Sequence, residues 1–166
     1  MTIFPEQINY NYWANLTLIQ AASKLGPNAF DQKIVGSWLS VHETLIHILW
    51  AEELWLERWQ GRTFIPALNP DDYTKLDTIR KKIGKIYKHQ LRFIKSVNNH
   101  TENKFVSYLN FQGKRWEYRI QQMVQHMIIH SAYHRGQLAV LLKQLGVQPP
   151  ATDYLVFIDQ QSVSKS

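Results

Sequence analysis

The sequence contains no cysteine among its 166 residues. This absence excludes disulfide bonds and metal sites built from thiolates, and it fits the reducing cytoplasm. The N-terminal segment lacks the basic stretch and apolar run of a secretory signal peptide. No segment approaches the roughly 20 apolar residues that a membrane-spanning helix requires. We therefore expect a cytoplasmic protein with no membrane partner.

The sequence also lacks internal repeats and low-complexity linkers. Its content of 45% hydrophobic and 19% charged residues is typical of a folded globular chain rather than a disordered one. A chain of this length most simply forms one domain around one core. We predict a single domain over residues 1–158 and a flexible tail over residues 159–166.

Hydrophobic periodicity predicts four amphipathic helices, at about residues 5–25, 40–60, 74–97 and 118–145. Four such helices in one small domain predict an all-α four-helix bundle, an architecture whose core often holds a metal site. Between the third and fourth helices, the alternating pattern within 98–119 indicates an extended segment or a small hairpin.

The helix ends carry recognisable signals. Ser40 and Glu43 have the spacing of a capping box at the start of the second helix, and Thr74 and Asp77 show a similar spacing before the third. Glycines are expected to terminate the helices, since they tolerate the left-handed backbone that follows a helix end. The glycines in question are Gly26 (with Pro27), Gly61 and Gly146.

The formal charge is +6, and much of it lies in the third helix, within residues 80–95. A basic patch of this kind binds nucleic acid in some proteins. Here the basic residues mostly avoid the apolar stripe, and no glycine-rich phosphate loop or aromatic platform accompanies them. The pattern favours a solvated helix face over a nucleic-acid partner.

Three of the seven histidines stand four residues apart in "HMIIHSAYHRGQ", residues 126–137. Residues at this spacing share one face of a helix and lie about 6 Å apart along its axis. Either His126 with His130, or His130 with His134, could therefore bind one metal ion. His126 and His134 are separated by two turns, roughly 12 Å, so all three cannot share an ion.

A catalytic metal typically has three protein ligands and one open position, so a third ligand must come from another helix. His89 lies among basic residues, His100 lies in a polar loop, and His42 is expected to face solvent in the first turn of its helix. His47 has apolar neighbours and is the best remaining candidate, although such a histidine is more often a hydrogen-bonded core residue. Glu43 could reach a metal, but its capping role explains it more simply.

Three segments carry a resemblance to a known family: "YNYWAN" (10–15), "SVHETLIHILWAEELWLERWQG" (40–61) and "HSAYHRGQLAVLLKQLGVQPPATDYLVF" (130–157). Over about residues 8–157 the chain resembles the DinB family of the DinB/YfiT-like metalloenzyme superfamily. The resemblance implies a four-helix bundle with up-down-down-up topology, and it implies a homodimer, because members are often dimeric.

The resemblance also implies a divalent metal cofactor, with zinc, nickel and iron all found in the superfamily. Matched residue by residue, the metal ligands are His47, His130 and His134. His126 is then not a ligand but a partly exposed neighbour of the site.

Several further residues have predicted supporting roles near the site. Ligand histidines usually donate their second ring N–H to an acceptor, and Glu52, Glu53 and Asp153 are the candidates. Arg135 is expected to pair with a carboxylate such as Asp153. Gly136 costs about 1 kcal/mol relative to alanine inside a helix, which suggests close packing at that position.

The resemblance implies a metal-dependent enzyme, either S-transferase-like or hydrolase-like. In the first case a low-molecular-weight thiol would supply the nucleophile and attack an electrophilic small molecule, which suits a chain without cysteine. The alternatives are a non-catalytic metal-binding stress-response protein and, less favoured, a nucleic-acid-associated protein. The family's link to DNA-damage induction concerns regulation rather than DNA contact.

Overall fold

The computed structural model describes residues 3–26, 28–34, 37, 40–63, 68–98 and 100–163. The four predicted helices are confirmed, together with the predicted hairpin; a short 3-10 helix and a fifth helix were not predicted. The elements are α1 (Phe4–Ala22), α2 (Val41–Trp59), a 3-10 helix (Pro70–Tyr73), α3 (Leu76–Ser96), β1 (Phe105–Leu109), β2 (Arg115–Arg119), α4 (Ile120–Gln144) and α5 (Tyr154–Val163). None of the described helices is long and apolar enough to cross a membrane.

The four long helices form a bundle in which α1 and α2 each pack against both α3 and α4. One core cluster joins the C-terminal ends of α1 and α4 to the N-terminal parts of α2 and α3. A second cluster joins the opposite ends of the same helices. Therefore α1 and α4 point one way while α2 and α3 point the other, which confirms the predicted up-down-down-up topology.

Two capping boxes were predicted at helix starts, and one of them is present in the structure. The Ser40 side chain accepts a hydrogen bond from the Glu43 backbone, and the Glu43 carboxylate accepts one from the Ser40 backbone, so the first capping box is confirmed. The second is wrong, because Thr74 closes the 3-10 helix and α3 starts after Lys75 without a side-chain cap. That 3-10 helix lies in the long connection that parallel α2 and α3 require.

The structure also shows where the helices end. Gly61 and Gly146 have positive φ angles of 73° and 83°, as expected of residues that follow a helix. The first helix ends at Ala22, earlier than predicted. The predicted stop at Pro27 lies outside the described residues.

The hairpin precedes α4 directly, and its antiparallel strands pair Phe105 with Arg119 and Leu109 with Arg115. Gly113 lies in its turn with a φ of 75°. Tyr108 is buried and packs edge-on against Trp55 of α2. The hairpin therefore covers the C-terminal half of α2.

The last helix, α5, covers residues 154–163, where the sequence predicted a flexible tail from residue 159. The helix is held by α1, since buried Phe157 packs against Tyr10 and Trp13. The Trp13 indole N–H donates to the Gln160 side chain at 3.1 Å. Residues 164–166 of the predicted tail lie outside the described residues.

Candidate metal centre

Three histidines from two antiparallel helices converge at one point of the bundle. His47 of α2 and His130 and His134 of α4 each offer one ring nitrogen, and these nitrogens all lie within 4.8 Å of one another. The ring centroids of His47 and His134 are 4.3 Å apart, and those of His47 and His130 are 5.3 Å apart. Sequence spacing and family resemblance singled out this trio, and the fold brings it together.

The geometry of the two α4 histidines suits a shared ion. Their Nε2 atoms lie 3.2 Å apart. Two nitrogens bound tetrahedrally at 2.0–2.1 Å from one metal would be separated by roughly 3.3 Å. The pair therefore already has the separation that zinc-like coordination demands, and a ring nitrogen of His47 lies within 4.8 Å of both.

A side-chain amide sets the tautomer of His134. Its Nδ1 lies 2.8 Å from the Oε1 of Gln137, one turn further along α4. Because an amide oxygen only accepts, Nδ1 carries the proton and Nε2 keeps a free lone pair for a metal. For His134 the carboxylate prediction is thus wrong: an amide on the same helix takes this role, and Glu52 and Glu53 bond elsewhere.

The surroundings of His47 and His130 favour the neutral form of these two rings, which is the form that binds metal. The pKa of His130 is lowered to about 4, mainly by burial and then by the nearby His134, His47 and His126. Burial, followed by the charge of His134, also lowers the pKa of His47. The Nδ1 of His130 is buried and has no hydrogen-bond partner among the described residues.

Aromatic rings surround the centre. Trp50 lies 5.9 Å from His47 and Tyr133 lies 5.1 Å from His134, both measured between ring centroids. His126 is exposed, stacks near Trp55 at 4.5 Å and does not join the converging group, as predicted.

The remaining histidines lie apart from the centre. His89 and His100 are exposed. The expectation for His42 was wrong, because it is buried rather than solvent-facing. Its ring nitrogens contact the Asp31 carboxylate at 2.7 Å and the Tyr73 carbonyl at 3.1 Å, so it joins the loops around the start of α2.

A buried polar network lies directly behind the centre, and sequence reasoning missed it. The Glu52 carboxylate accepts hydrogen bonds from the side chains of Asn11 (2.7 Å), Asn15 (2.6 Å) and Ser131 (3.1 Å). The Arg135 guanidinium donates to the amide oxygens of the same two asparagines, at 2.6 and 3.1 Å. The predicted pairing of Arg135 with Asp153 is therefore wrong. The only sequence signal was the four-residue spacing of the two asparagines on an apolar helix.

This network of side chains links the helices of the bundle next to the three histidines. Ser131 and Arg135 directly follow His130 and His134, and Glu52 lies on the helix that carries His47. Gln90 of α3 adds a fourth helix through a 3.2 Å hydrogen bond to Glu52.

The glycine beside Arg135 has no packing role among the described residues. A Cβ added at Gly136 would meet none of their atoms within 4 Å, so the predicted close approach inside the bundle is wrong. The residue is exposed on the outer face of α4.

Comparison with known proteins supports the same architecture. The DinB family model matches residues 2–165. Protein DinB of Bacillus subtilis is 25% identical over 162 residues, covering 95% of this chain and 94% of that relative. The alignment therefore spans almost the full length of both proteins.

Two solved structures resemble the fold. A DinB-like protein from Bacillus cereus superposes with a TM-score of 0.68 at 18% identity, covering 89% of this chain and 94% of that one. YfiT from Bacillus subtilis, described as a probable metal-dependent hydrolase with an unusual four-helix bundle topology, gives 0.65 at 9% identity, covering 87% and 89%. At such identities the likeness concerns the fold.

Proposed function

The chain belongs to the DinB family, and from this membership and its converging histidines we propose that it is a divalent-metal-dependent enzyme. Its metal ligands are His47, His130 and His134. The observation that carries the proposal is the 3.2 Å separation of the two Nε2 atoms on α4, combined with the Gln137 contact that frees a lone pair on one of them. Three nitrogen ligands leave a coordination position for a reactant.

A divalent ion held in this way lowers the pKa of a bound water or thiol and polarises an electrophile. The chain's own contribution is to hold three neutral imidazoles in place and to surround the reactants with the rings of Trp50 and Tyr133. The chain has no cysteine, so in a thiol-dependent reaction the sulfur nucleophile comes from a low-molecular-weight thiol. We place this reaction in the cytoplasm, where such thiols stay reduced.

Two reactions fit this chemistry. Hydrolysis is suggested by the description of YfiT as a probable metal-dependent hydrolase. Thiol transfer to a small electrophile is suggested by the family resemblance. In a third case the ion only braces the bundle, as in a non-catalytic stress-response protein.

Metal content provides the first test. The chain is purified without a histidine tag and measured by inductively coupled plasma mass spectrometry, beside His134→Ala and the matched control His126→Ala. Wild type and the control should retain about one zinc, nickel or iron per chain, and His134→Ala should lose it. Equal metal content in wild type and His134→Ala would refute the site.

Activity provides the second test. The protein loaded with the metal so identified is screened with bacillithiol, mycothiol, glutathione and coenzyme A against small electrophiles, and with ester and amide substrates. Turnover that disappears in His134→Ala supports the enzyme. Metal binding that raises the melting temperature without any turnover would support the bracing role instead.

The outer face of α4 suits a homodimer. Ile129, Tyr133 and Val140 are 58%, 64% and 57% exposed and share one stripe with Gly136. Gly136 lies in the middle of this exposed apolar stripe, and a Cβ there would meet no described atom within 4 Å, so the same helix of a second copy can approach it closely. Light scattering after size-exclusion chromatography should give a dimer for wild type and a monomer for Tyr133→Glu. A monomeric wild type would refute this assembly.

A further inference from the structure

A buried arginine on α2 lies outside the metal centre and has a chemistry that the metal does not explain. Arg58 is only 7% exposed. Its guanidinium carbon lies 4.4 Å from the ring of Tyr108, 4.8 Å from that of Trp55 and 5.4 Å from that of Phe111. The cation is thus enclosed by aromatic rings from α2 and the hairpin.

No anion within the described part of the chain accompanies this cation. Among the described residues, no carboxylate forms an ion pair with Arg58 and no side chain accepts a hydrogen bond from it. Burial accordingly lowers the pKa of Arg58. Aromatic rings offset part of the cost of burying a guanidinium, but they do not accept its in-plane hydrogen bonds as a carboxylate does.

A second donor without a partner lies beside the first. The hydroxyl of Tyr108 is buried and forms no hydrogen bond within the described structure. Burial is the main reason that the pKa of Tyr108 is raised, so this hydroxyl keeps its proton. The Tyr108 hydroxyl and the guanidinium that lies 4.4 Å from the centre of the same ring therefore both lack an anionic acceptor among the described residues.

A row of aromatic rings joins this pair to the three histidines. Trp55 is 4.5 Å from His126, which is 6.0 Å from His130, all between ring centroids. On the hairpin side, Phe111 stacks on Trp50 at 5.7 Å. A ligand bound at Arg58 would therefore lie along an aromatic surface that leads to the metal centre.

We propose that Arg58 and the Tyr108 hydroxyl form a carboxylate-binding site that holds the acidic end of a small elongated substrate. A single guanidinium and a neutral donor match the single charge and two oxygens of a carboxylate. The distance to the histidines, on the order of 10 Å from the helical rise and the length of the arginine side chain, sets the minimum length of that substrate. The substrate role depends on the proposed enzyme function, whereas carboxylate binding itself does not.

The test measures binding of 4-phenylbutyrate and of its neutral analogue 4-phenylbutanamide by calorimetric titration of the full chain. The two probes share a phenyl ring and a chain, and only the first carries a charge. Wild type should bind the carboxylate about tenfold or more tightly than the amide, as expected for a buried charge-assisted hydrogen bond. Equal affinities, or no detectable binding of the carboxylate, would overturn the proposal.

Variants locate the site. Arg58→Met should reduce carboxylate affinity about tenfold or more, and its control Arg92→Met, which removes an exposed arginine of α3, should not. Tyr108→Phe removes one donor to the carboxylate and should also reduce affinity about tenfold, as expected for a hydrogen bond to a charged group, while Tyr118→Phe on the neighbouring strand should leave it unchanged. If Arg58→Met does not fold, the Tyr108→Phe result and the comparison of the two probes decide.

A carboxylate could also bind a metal at the histidines, so the titrations are repeated with His134→Ala and after chelation. Binding that persists there but is lost in Arg58→Met supports the site even if no metal enzyme exists. Binding that is lost in His134→Ala but unchanged in Arg58→Met would overturn it, since the anion would then lie at the histidines.

Discussion

Two polar regions lie side by side in the bundle core, and they differ in how completely their hydrogen bonds are formed. In the network around Glu52, the carboxylate accepts from four side chains, and Arg135 donates to two asparagines and to the Tyr10 hydroxyl. At the three histidines, by contrast, one buried ring nitrogen has no partner in the part of the chain that the structure describes, and two others face each other at 3.2 Å.

The difference separates a structural role from a functional one. A buried polar network whose members are all hydrogen-bonded stabilises one arrangement of the helices, since each group would be costly to leave alone. Groups that remain without partners indicate a ligand that completes them. The network should therefore govern folding, and the histidines should govern metal binding.

The largest expected effect follows from breaking the network. Arg135→Met removes the guanidinium that the two asparagines accept from, and it leaves Glu52 buried with less compensation. The free energy of unfolding should fall by about 3 kcal/mol, as is typical when one partner of a buried charged network is removed. Urea denaturation followed by circular dichroism measures this change. The control Arg92→Met should lose less than about 0.5 kcal/mol, since its side chain is exposed. An equal loss in both variants would contradict a structural role for the network.

A substitution beside the histidines should weaken metal binding and leave the stability of the fold unchanged. Gln137→Leu removes the acceptor that orients His134, so the affinity for zinc should fall about 10- to 100-fold, as for other partners of metal ligands. Competition with a zinc chelator measures this affinity. The metal-free variant should unfold within about 0.5 kcal/mol of wild type, because Gln137 is only partly buried. Unchanged zinc affinity would show that the Gln137 contact does not prepare the site.

The histidines should also make the fold sensitive to acid. The pKa of His130 is lowered from 6.5 to about 4, so the folded state binds a proton less readily than the unfolded state. Its stabilising contribution is complete above about pH 6.5 and is lost as the pH falls toward 4. Metal-free wild type should therefore lose stability over this range more steeply than His130→Asn, as measured by denaturation at several pH values. Parallel profiles for the two proteins would contradict the lowered pKa.

How far the sequence could predict these two regions depends on the separation of their residues along the chain. The pair His130 and His134 lies within one helix, so its spacing alone predicts a shared face. The Ser40 capping box is equally local and was equally predictable. His47 was the best candidate for the third ligand from its position and neighbours, but only the family resemblance selected it, because periodicity does not specify which helix faces which.

The network could not be predicted for the same reason. Arg135 and Asn11 are separated by 124 positions and meet only after the bundle has closed. Local patterns suggested Asp153 as a partner because it is acidic and lies nearer in the sequence. The burial of Arg58 could likewise not be predicted. The residue lies in an ordinary helical pattern, and the hairpin residue Tyr108 covers it only in the folded chain.

The smallest expected effect concerns Gly136 on the outer face of α4, outside both polar regions. In an isolated chain, Gly136→Ala should stabilise the helix by about 1 kcal/mol, because a Cβ at this position meets no atom within 4 Å. In the proposed dimer the same methyl group would separate two closely packed helices and weaken their association. Denaturation measures the first effect and sedimentation at several protein concentrations measures the second. A stabilised chain that associates as tightly as wild type would place the contact between copies elsewhere and leave the glycine without a role in it.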